Sequence, residues 1–350
     1  METRFVATPG YDDQRPGTAG LRKKVRVFQQ PGYLECFLQA VFDGAGPFEG
    51  KTLVAGGDGR YFNREALQTL ASVAAANGVA RLIVGRGGLL STPAASNLVR
   101  QRNADGGFIL SASHNPGGPD GDFGVKFNTA NGGQASESLM AAVYRATQTL
   151  EGYRLADLGP IDFEATGART YGTLTVEIVD PVSDYAALME RLFDFDRIRS
   201  LLTGSGFRMR FAAMHAITGP YATDILETRL GAPAGTVMNG QPLEDFGGGH
   251  PDPNPVDAAE LVSLMNGPDA PDCAAASDGD GDRNMIVGRG LVVSPGDSLA
   301  IIAARHELVP GYRDGIAGVA RSMPTSRAVD RVARALDIPC YETPTGWRFF

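Results

Sequence analysis

Residues 52–76 read TLVAGGDGRYFNREALQTLASVAAA, and this stretch decides the fold class. It opens with the short apolar run Thr52–Ala55, which is typical of a buried strand. The glycine-rich turn Gly56–Gly59 then ends the run. Residues 63–76 follow with leucines and alanines at helical spacing, which predicts an amphipathic helix. A buried strand that turns directly into a helix is the building unit of layered α/β domains.

The same alternation continues along the whole chain and predicts serial α/β/α domains with mixed, largely parallel sheets. Near the quoted stretch we predict strands at 82–84 and 108–110 and helices at 93–100 and 138–150. A second group contains predicted helices at 185–202, 221–230 and 257–265 and strands at 209–213 and 273–276. A third contains predicted helices at 298–308 and 326–336 and strands at 316–320 and 338–341. We therefore expect three domains in series, covering residues 1–181, 182–295 and 296–350.

Bulk composition limits the classes of function. The net charge of −8 provides no basic face for nucleic acid, although a local basic pocket for an anionic metabolite stays open. The chain has three widely spaced cysteines, no signal-peptide pattern at its start and no apolar run long enough to span a bilayer. We expect a cytoplasmic protein that acts on a small molecule, with neither a nucleic acid nor a membrane as partner.

A serine-containing loop is the first candidate site. Residues 111–118 read SASHNPGG and follow the apolar strand predicted at 108–110. Ligands of open α/β sheets bind at the carboxyl ends of strands, so a reacting group is expected in this loop. The proline and glycines prevent the segment from continuing as strand or helix, which places Ser113 on a bend. Because these are also common turn residues, an ordinary turn remains the alternative.

An aspartate-rich loop is the second candidate. Asp278, Asp280 and Asp282 alternate with glycine directly after the strand predicted at 273–276. Residues i, i+2 and i+4 of an extended segment share a face, so the three carboxylates can converge. Such convergence suits Mg²⁺, which prefers oxygen ligands. A solvated acidic turn is the alternative.

Two other interpretations of this loop require particular residues at fixed positions. An EF-hand needs glycine at the sixth loop position and glutamate at the twelfth, where this chain has Arg283 and Arg289, so that reading is excluded. A phosphotransferase of the haloacid dehalogenase type would use Asp278 as a nucleophile that becomes an aspartyl phosphate. That type prefers threonine or valine where Asp282 stands, which weakens the reading and leaves it open.

Basic residues lie near both loops. Arg22 and Lys23 follow a glycine bend, Lys126 follows the serine loop, and Arg283 adjoins the aspartates. Each taken alone is typical of a solvated surface charge. Taken together around an anionic substrate, they would form a phosphate clamp.

Considered in order along the chain, these segments resemble the α-D-phosphohexomutase superfamily, most closely its phosphoglucomutase members. The resemblance runs from the first residues to the last and rests on eight segments, which are 17–22, 56–60, 111–118, 121–128, 248–254, 278–284, 320–326 and 342–350. One such segment is modest support, whereas their serial agreement is strong. Arg348 stands where the glucose enzymes usually have lysine, which keeps the charge and alters the hydrogen-bond geometry.

The resemblance implies a role for each candidate residue. Ser113 would carry the phosphoryl group, and Asp278, Asp280 and Asp282 would bind Mg²⁺ together with the phosphate on Ser113. Lys126 is the first candidate for the general base and His114 the second. The remaining positions would bind the substrate, and they are Arg22, Lys23, Arg283, Thr345 and Gly346.

The activity implied is the reversible interconversion of α-D-glucose 1-phosphate and glucose 6-phosphate. It would proceed through a phosphoserine, with glucose 1,6-bisphosphate as intermediate and activator and Mg²⁺ as cofactor. A mutase for another hexose phosphate and a non-catalytic sugar-phosphate-binding or scaffold protein are the alternatives. Family members have four domains around an active-site cleft, whereas this chain ends within the third, so we expect the chain alone to turn over substrate poorly.

Overall fold

The computed structural model describes residues 2–204 and 206–350, which form two compact units. Unit 1 extends to Asp184 and also includes Pro242–His250. Unit 2 contains Tyr185–Gln241 and Pro251–Phe350. The first unit is therefore discontinuous in sequence, a property that no local pattern in the chain predicts.

Unit 1 is built on a seven-stranded mixed sheet. The strands of the unit are β1 Thr3–Ala7, β2 Leu21–Lys24, β3 Thr52–Gly57, β4 Arg81–Leu89, β5 Gly106–Leu110, β6 Asp122–Thr129, β7 Gly152–Ala156, β8 Gly167–Tyr171 and β9 Leu174–Val179. The helices are α1 Val25–Phe28, α2 Tyr33–Ala45, α3 Asn63–Ala76, α4 Thr92–Gln101 and α5 Glu137–Gln148. The main sheet has the order β2-β6-β5-β3-β4-β9-β8, with β3 parallel to both of its neighbours, and β1 and β7 form a separate antiparallel pair.

Alternation along the central strands explains how both faces of this sheet are covered. Leu53 of β3 belongs to the large core that also contains the apolar faces of α2, α3 and α5. Val54 points to the other face, which α4 covers and where Val99 approaches Gly107. Because β3 and β5 run in parallel, the loops that follow them leave the sheet at the same edge.

Unit 2 contains a second mixed sheet and a smaller α/β layer. Its strands are β10 Met209–Ala212, β11 Val237–Met238, β12 Cys273–Ser277, β13 Asn284–Gly288, β14 Leu291–Val293, β15 Val319–Ser322 and β16 Cys340–Thr343. Its helices are α6 Ser183–Leu192, α7 Phe195–Gly204, α8 Thr218–Ala222, a π-helix Thr223–Arg229, α9 Ala259–Asn266, α10 Pro295–Ala304 and α11 Ala328–Leu336. The sheet order is β11-β10-β12-β13-β14, in which β10 is parallel to its two neighbours and β13 is antiparallel to its own. The strands β15 and β16 form a parallel pair covered by α10 and α11.

The predicted fold class is confirmed, and two predicted helices are corrected. The single helix predicted at 185–202 is wrong: α6 ends at Leu192 and α7 begins at Phe195. The break occurs because the carboxylate of Asp194 accepts a hydrogen bond from the backbone N–H of Arg197 at 3.0 Å, which caps a new helix. The helix predicted at 221–230 begins earlier, because Pro220 is tolerated in a first turn, and it continues as the π-helix. Other boundaries move by a few residues.

Among the helices that the structure describes, none combines the length and the apolar character needed to cross a membrane.

Candidate active site

The serine loop leaves the carboxyl end of β5, as its sequence predicts. Ser113 has a backbone φ of 56°, in the left-handed region that residues other than glycine rarely adopt. Its side chain is almost fully buried, and its Oγ lies 3.4 Å from Nδ1 of His114. Strained backbone of this kind persists only where the surrounding structure holds it in place. The loop therefore needs a support, and the neighbouring turn provides it.

That support is a buried ion pair between Asp58 and Arg60, in the glycine-rich turn after β3. Neither side chain has any exposed surface, and Nη2 of Arg60 lies 2.9 Å from Oδ2 of Asp58. The same guanidinium donates to the backbone carbonyl oxygens of Ser113 at 2.6 Å, Asp122 at 2.8 Å and Asn115 at 3.3 Å. One arginine thus joins two carbonyl groups of the serine loop to the start of β6.

Ser111 links this ion pair to the backbone of the candidate nucleophile. Its hydroxyl donates to Oδ2 of Asp58 at 2.6 Å and accepts from the backbone N–H of Ser113 at 2.8 Å. Ser111 is fully buried and has a structural partner on each side. Of the two serines in the SASH segment, it is the one that the fold uses for support.

A nine-residue segment from far along the chain completes the loop. The carbonyl oxygen of Glu244 accepts hydrogen bonds from the backbone N–H groups of Gly118 at 3.0 Å and Tyr61 at 2.9 Å. The guanidinium of Arg60 lies 5.1 Å from the ring centroid of Phe246 and stacks over that ring. The segment Pro242–His250 is therefore a structural part of the serine loop.

Arg22 and Lys126 are brought to the same face of the sheet beside this loop. Arg22 of β2 pairs with Gly124 of β6, and Lys126 lies two residues further along β6. Residues two apart in a strand share a face, so both cations project from one side. Lys126 is almost fully buried and pairs with Ile109, close to the point where β5 ends.

Two other predicted residues of unit 1 occupy different surroundings. Lys23 projects from the opposite face to Arg22, and its Nζ lies 2.8 Å from the carboxylate of Asp13. The structure therefore does not bring Lys23 to the serine loop. His114 does lie there, with its ring centroid 6.1 Å from that of His250.

The aspartate loop connects β12 to β13 in unit 2. One carboxylate oxygen from each of Asp278, Asp280 and Asp282 lies within 4.8 Å of the other two. Asp278 and Asp280 are fully buried, so their like charges would repel without a cation between them. Three hard oxygen donors at this spacing fit Mg²⁺, which binds protein carboxylates and usually retains several waters.

The carboxylate of Asp278 also shapes the loop. Its Oδ1 accepts hydrogen bonds from the backbone N–H groups of Gly281 at 3.1 Å, Asp282 at 3.0 Å and Arg283 at 3.1 Å. Three backbone donors on one oxygen draw the loop around that carboxylate. The sequence pattern predicted the cluster but gave no means of assigning this structural role.

The remaining predicted positions are also in unit 2. Arg283 is half exposed, with its Nε 3.9 Å from Asp282. Thr345 is exposed in the turn after β16, and Gly346 has a φ of 130°, which favours glycine. Each therefore lies on a loop at the end of a strand.

Sequence reasoning gave no role to the supporting residues Asp58, Arg60 and Ser111. A signal for the ion pair was present, because an acid and a base two residues apart follow a fully apolar strand. Charges at such a position are buried, and buried charges are normally paired. No comparable signal marks the segment 242–250, whose place depends on tertiary packing.

Comparison with known proteins agrees with this architecture. Three domain models described as phosphoglucomutase/phosphomannomutase, alpha/beta/alpha domains I, II and III, match residues 13–154, 183–290 and 295–350. A phosphoglucomutase of Rhizobium radiobacter is 57% identical over 347 residues, which cover 99% of this chain and 64% of that protein. A phosphoglucomutase of Schizosaccharomyces pombe is 53% identical over 99% of this chain and 63% of its own length. The chain thus spans a little under two thirds of these relatives.

Solved structures give the same result. The open form of parafusin from Paramecium, described as a phosphoglucomutase, has a TM-score of 0.95 and 44% identity, over 99% of this chain and 65% of that one. A putative phosphomannomutase from Thermus thermophilus has a TM-score of 0.76 and 22% identity, over 98% of this chain and 71% of that one, and supports the fold alone. With the three domain models in the expected order, the chain belongs to the phosphoglucomutase/phosphomannomutase family of α-D-phosphohexomutases.

Proposed function

We propose that this chain carries the phosphoryl-transfer and metal-binding parts of a phosphoglucomutase. The activity would be the reversible interconversion of α-D-glucose 1-phosphate and glucose 6-phosphate. The observation that carries the proposal is the serine loop, in which Ser113 is held in a strained conformation by a dedicated buried network. Relatives at 57% and 53% identity that are named phosphoglucomutase support the choice of sugar.

The first transfer would start from phosphorylated Ser113. The bond between its Oγ and phosphorus breaks as the 6-hydroxyl oxygen of glucose 1-phosphate bonds to phosphorus, and the hydroxyl proton passes to a base. Lys126 is our first candidate for that base, because it shares a face with Arg22 beside the loop. His114 is the second, because Nδ1 lies 3.4 Å from Oγ of Ser113.

The second transfer would reverse the chemistry at the other end of the sugar. Glucose 1,6-bisphosphate reorients, Oγ of Ser113 bonds to the phosphorus of the 1-phosphate, and the 1-oxygen leaves and regains a proton. Arg22 and Arg283 would hold the phosphate oxygens, while Thr345 and Gly346 would contact the sugar. Such transfer depends on positioning and charge stabilisation more than on covalent help from the protein.

Asp278, Asp280 and Asp282 would hold Mg²⁺ together with an oxygen of the phosphate on Ser113. When bound, the ion supplies positive charge against the transferring phosphoryl group. Calorimetric titration with Mg²⁺ should show clearly weaker binding for Asp280→Asn than for the unmodified chain. The matched control is Asp269→Asn, which removes the same charge from an exposed position in the same unit. Equal affinities for Mg²⁺ in the two variants would show that the aspartate loop is a solvated acidic turn and not a metal site.

A label-transfer experiment tests the chemistry itself. The chain is incubated with ³²P-labelled glucose 1,6-bisphosphate and Mg²⁺, and the labelled peptide is located by mass spectrometry. We expect label on Ser113 that survives hydroxylamine, because a serine phosphate ester resists that reagent. Loss of label to hydroxylamine would instead indicate an aspartyl phosphate at Asp278. No transfer at all would favour a non-catalytic binding or scaffold protein.

Label transfer with mannose 1,6-bisphosphate as the better donor would indicate a mutase for another hexose phosphate.

We also propose the domain boundaries 1–181, 182–295 and 296–350, and a cytoplasmic location. The location is supported by the three cysteines Cys36, Cys273 and Cys340, which are all free thiols.

A further inference from the structure

Unit 2 contains a cavity whose apolar walls have no role in the proposed mutase reaction. It has a volume of about 540 Å³ and lies between helices α6 and α7, the α8/π-helix segment and strand β10. Pockets that bind small molecules usually measure roughly 300–1,000 Å³ and combine apolar walls with a few polar groups. An engineered apolar cavity of roughly 150 Å³ already holds benzene, so this one accommodates a considerably larger apolar group.

The wall of the cavity is formed by large flexible and aromatic side chains. Met189, Phe193, Phe211, Ile225 and Leu226 all line it. The last two belong to the π-helix, a rare helical form that is frequently found at functional sites. Methionine adapts its shape to what it contacts, so such a wall accepts an unbranched chain without a rigid fit.

One polar group of the cavity lacks a protein partner. Oγ1 of Thr218 is buried, and within residues 2–204 and 206–350 it has no hydrogen-bond partner. Buried hydroxyls normally have one, and an exception calls for an explanation. Thr218 lines the cavity together with Arg283 and Asn284, so a ligand head group placed there would meet a hydroxyl, a guanidinium and an amide.

The guanidinium of Arg283 can provide a cationic partner for an anionic head group at this end. Asp282 also lines the cavity, and its carboxylate lies 3.9 Å from Nε of Arg283, beyond hydrogen-bond distance, so the half-exposed guanidinium can still donate to an anion. The hydroxyl of Tyr185 adds no charge, because burial raises the pKa of that tyrosine. A carboxylate is the simplest anion that an arginine and a hydroxyl can bind together.

We propose that this cavity binds a linear monocarboxylate with an apolar tail. The tail lies among Met189, Phe193 and the π-helix, and the carboxylate accepts hydrogen bonds from Thr218 and Arg283. The apolar walls take no part in the proposed sugar-phosphate chemistry, because a hexose needs polar partners, whereas Arg283 would be shared between the carboxylate and the proposed substrate phosphate.

Methionine NMR provides a test with internal controls. Met189 and Met209 line the cavity, whereas Met265 and Met285 are buried in the core on the α9 side of the same sheet. The chain is labelled with ¹³C-methyl methionine and titrated with decanoate, followed by decanol and decylamine. We expect saturable shifts of the Met189 and Met209 methyl signals, with the Met265 and Met285 signals unchanged, and decanoate binding about tenfold or more tightly than either analogue.

Two variants separate the tail from the head group. Ala222→Trp fills the cavity, since Ala222 lines it, and should abolish the shifts. Thr218→Val keeps the side-chain shape and should weaken decanoate about tenfold, so the test stands even if the tryptophan variant does not fold. Its matched control is Thr228→Val on the π-helix, outside the cavity wall, which should bind as the unmodified chain does.

The absence of saturable shifts would overturn the proposal. So would equal affinity for decanol, or decanoate binding that is unaffected by Thr218→Val. Shifts of Met265 and Met285 as large as those of Met189 and Met209 would indicate general detergent action, and they would overturn it as well.

Discussion

Replacement of Arg60 by methionine tests whether the buried ion pair holds unit 1 together. The variant keeps much of the apolar stem and leaves the carboxylate of Asp58, with no exposed surface, without its guanidinium. It also removes the donor to the carbonyl oxygens of Ser113, Asn115 and Asp122. Removing one partner of a buried pair typically costs about 3–5 kcal/mol.

For a unit of this size, each kcal/mol lowers Tm by roughly 2–4 °C, so we expect Arg60→Met to lower it by roughly 6–20 °C. Cys36 reports on unit 1 specifically. Its thiol is fully buried, and desolvation, reinforced by Glu35, raises its pKa to about 11, so it should react with thiol reagents only when the unit opens. The assay is the labelling of Cys36 as a function of temperature, located by mass spectrometry.

The control is Arg64→Met, which breaks an exposed ion pair with Glu164 in the same unit. Exposed pairs contribute only about 0–1 kcal/mol, so this variant should shift the midpoint by less than about 4 °C. Adding Asp58→Asn to Arg60→Met should destabilise less than the sum of the two single changes, because the uncompensated charge is gone. An Arg60→Met midpoint within about 2 °C of the unmodified chain would refute the reasoning.

Two further predictions concern other parts of the fold. Gly20→Ala should prevent stable folding, because Gly20 has a φ of 85° and a Cβ there would lie 2.2 Å from the carbonyl oxygen of Val125. The control Gly159→Ala should fold, because Gly159 has a φ of 63° with open space around it. Comparable yields of soluble protein for the two variants would contradict the prediction for Gly20. The hydrogen bond from Arg321 holds the pKa of Asp330 well below its ordinary value of about 4, so its stabilisation is complete above that pH and is lost as the pH falls below it. The Tm difference between the unmodified chain and Asp330→Asn should therefore stay constant from pH 7 to about 5 and narrow below about 4, whereas a constant gap at pH 3 would contradict the assignment.

The local pattern of the sequence predicts strands and helices well where one element follows another directly. The stretch 52–76 forms β3 and α3 much as predicted, because its apolar periodicity and its glycines act within a few residues. The region 185–202 was harder, since its apolar spacing continues across the break between α6 and α7. The side chain of Asp194 marks that break, because it caps the start of α7 through the backbone N–H of Arg197.

The residues of the candidate site likewise differ in how far the sequence predicts their positions and roles. Ser113 and the aspartates are carried by loops at strand ends, so their positions follow from the order of strands and turns. The roles of Ser111 and Arg60 depend on which atoms lie opposite them after folding, and spacing carries no such information. Lys23 shows the limit of spacing in another way, because its neighbour Arg22 faces the other side of the strand.

The discontinuity of unit 1 sets an order on its assembly during synthesis. Ser113 and its strands are synthesised early, but Glu244 and Phe246, which complete the loop, are synthesised only after Tyr185–Gln241 of unit 2. The growing chain therefore passes through a period in which every strand of the unit 1 sheet has been synthesised while the loop still lacks one side. A fragment ending at Asp184 would remain in that condition permanently. The serine loop can therefore be completed only once residues 242–250 have been synthesised. The first part of unit 2 must be synthesised before unit 1 is complete.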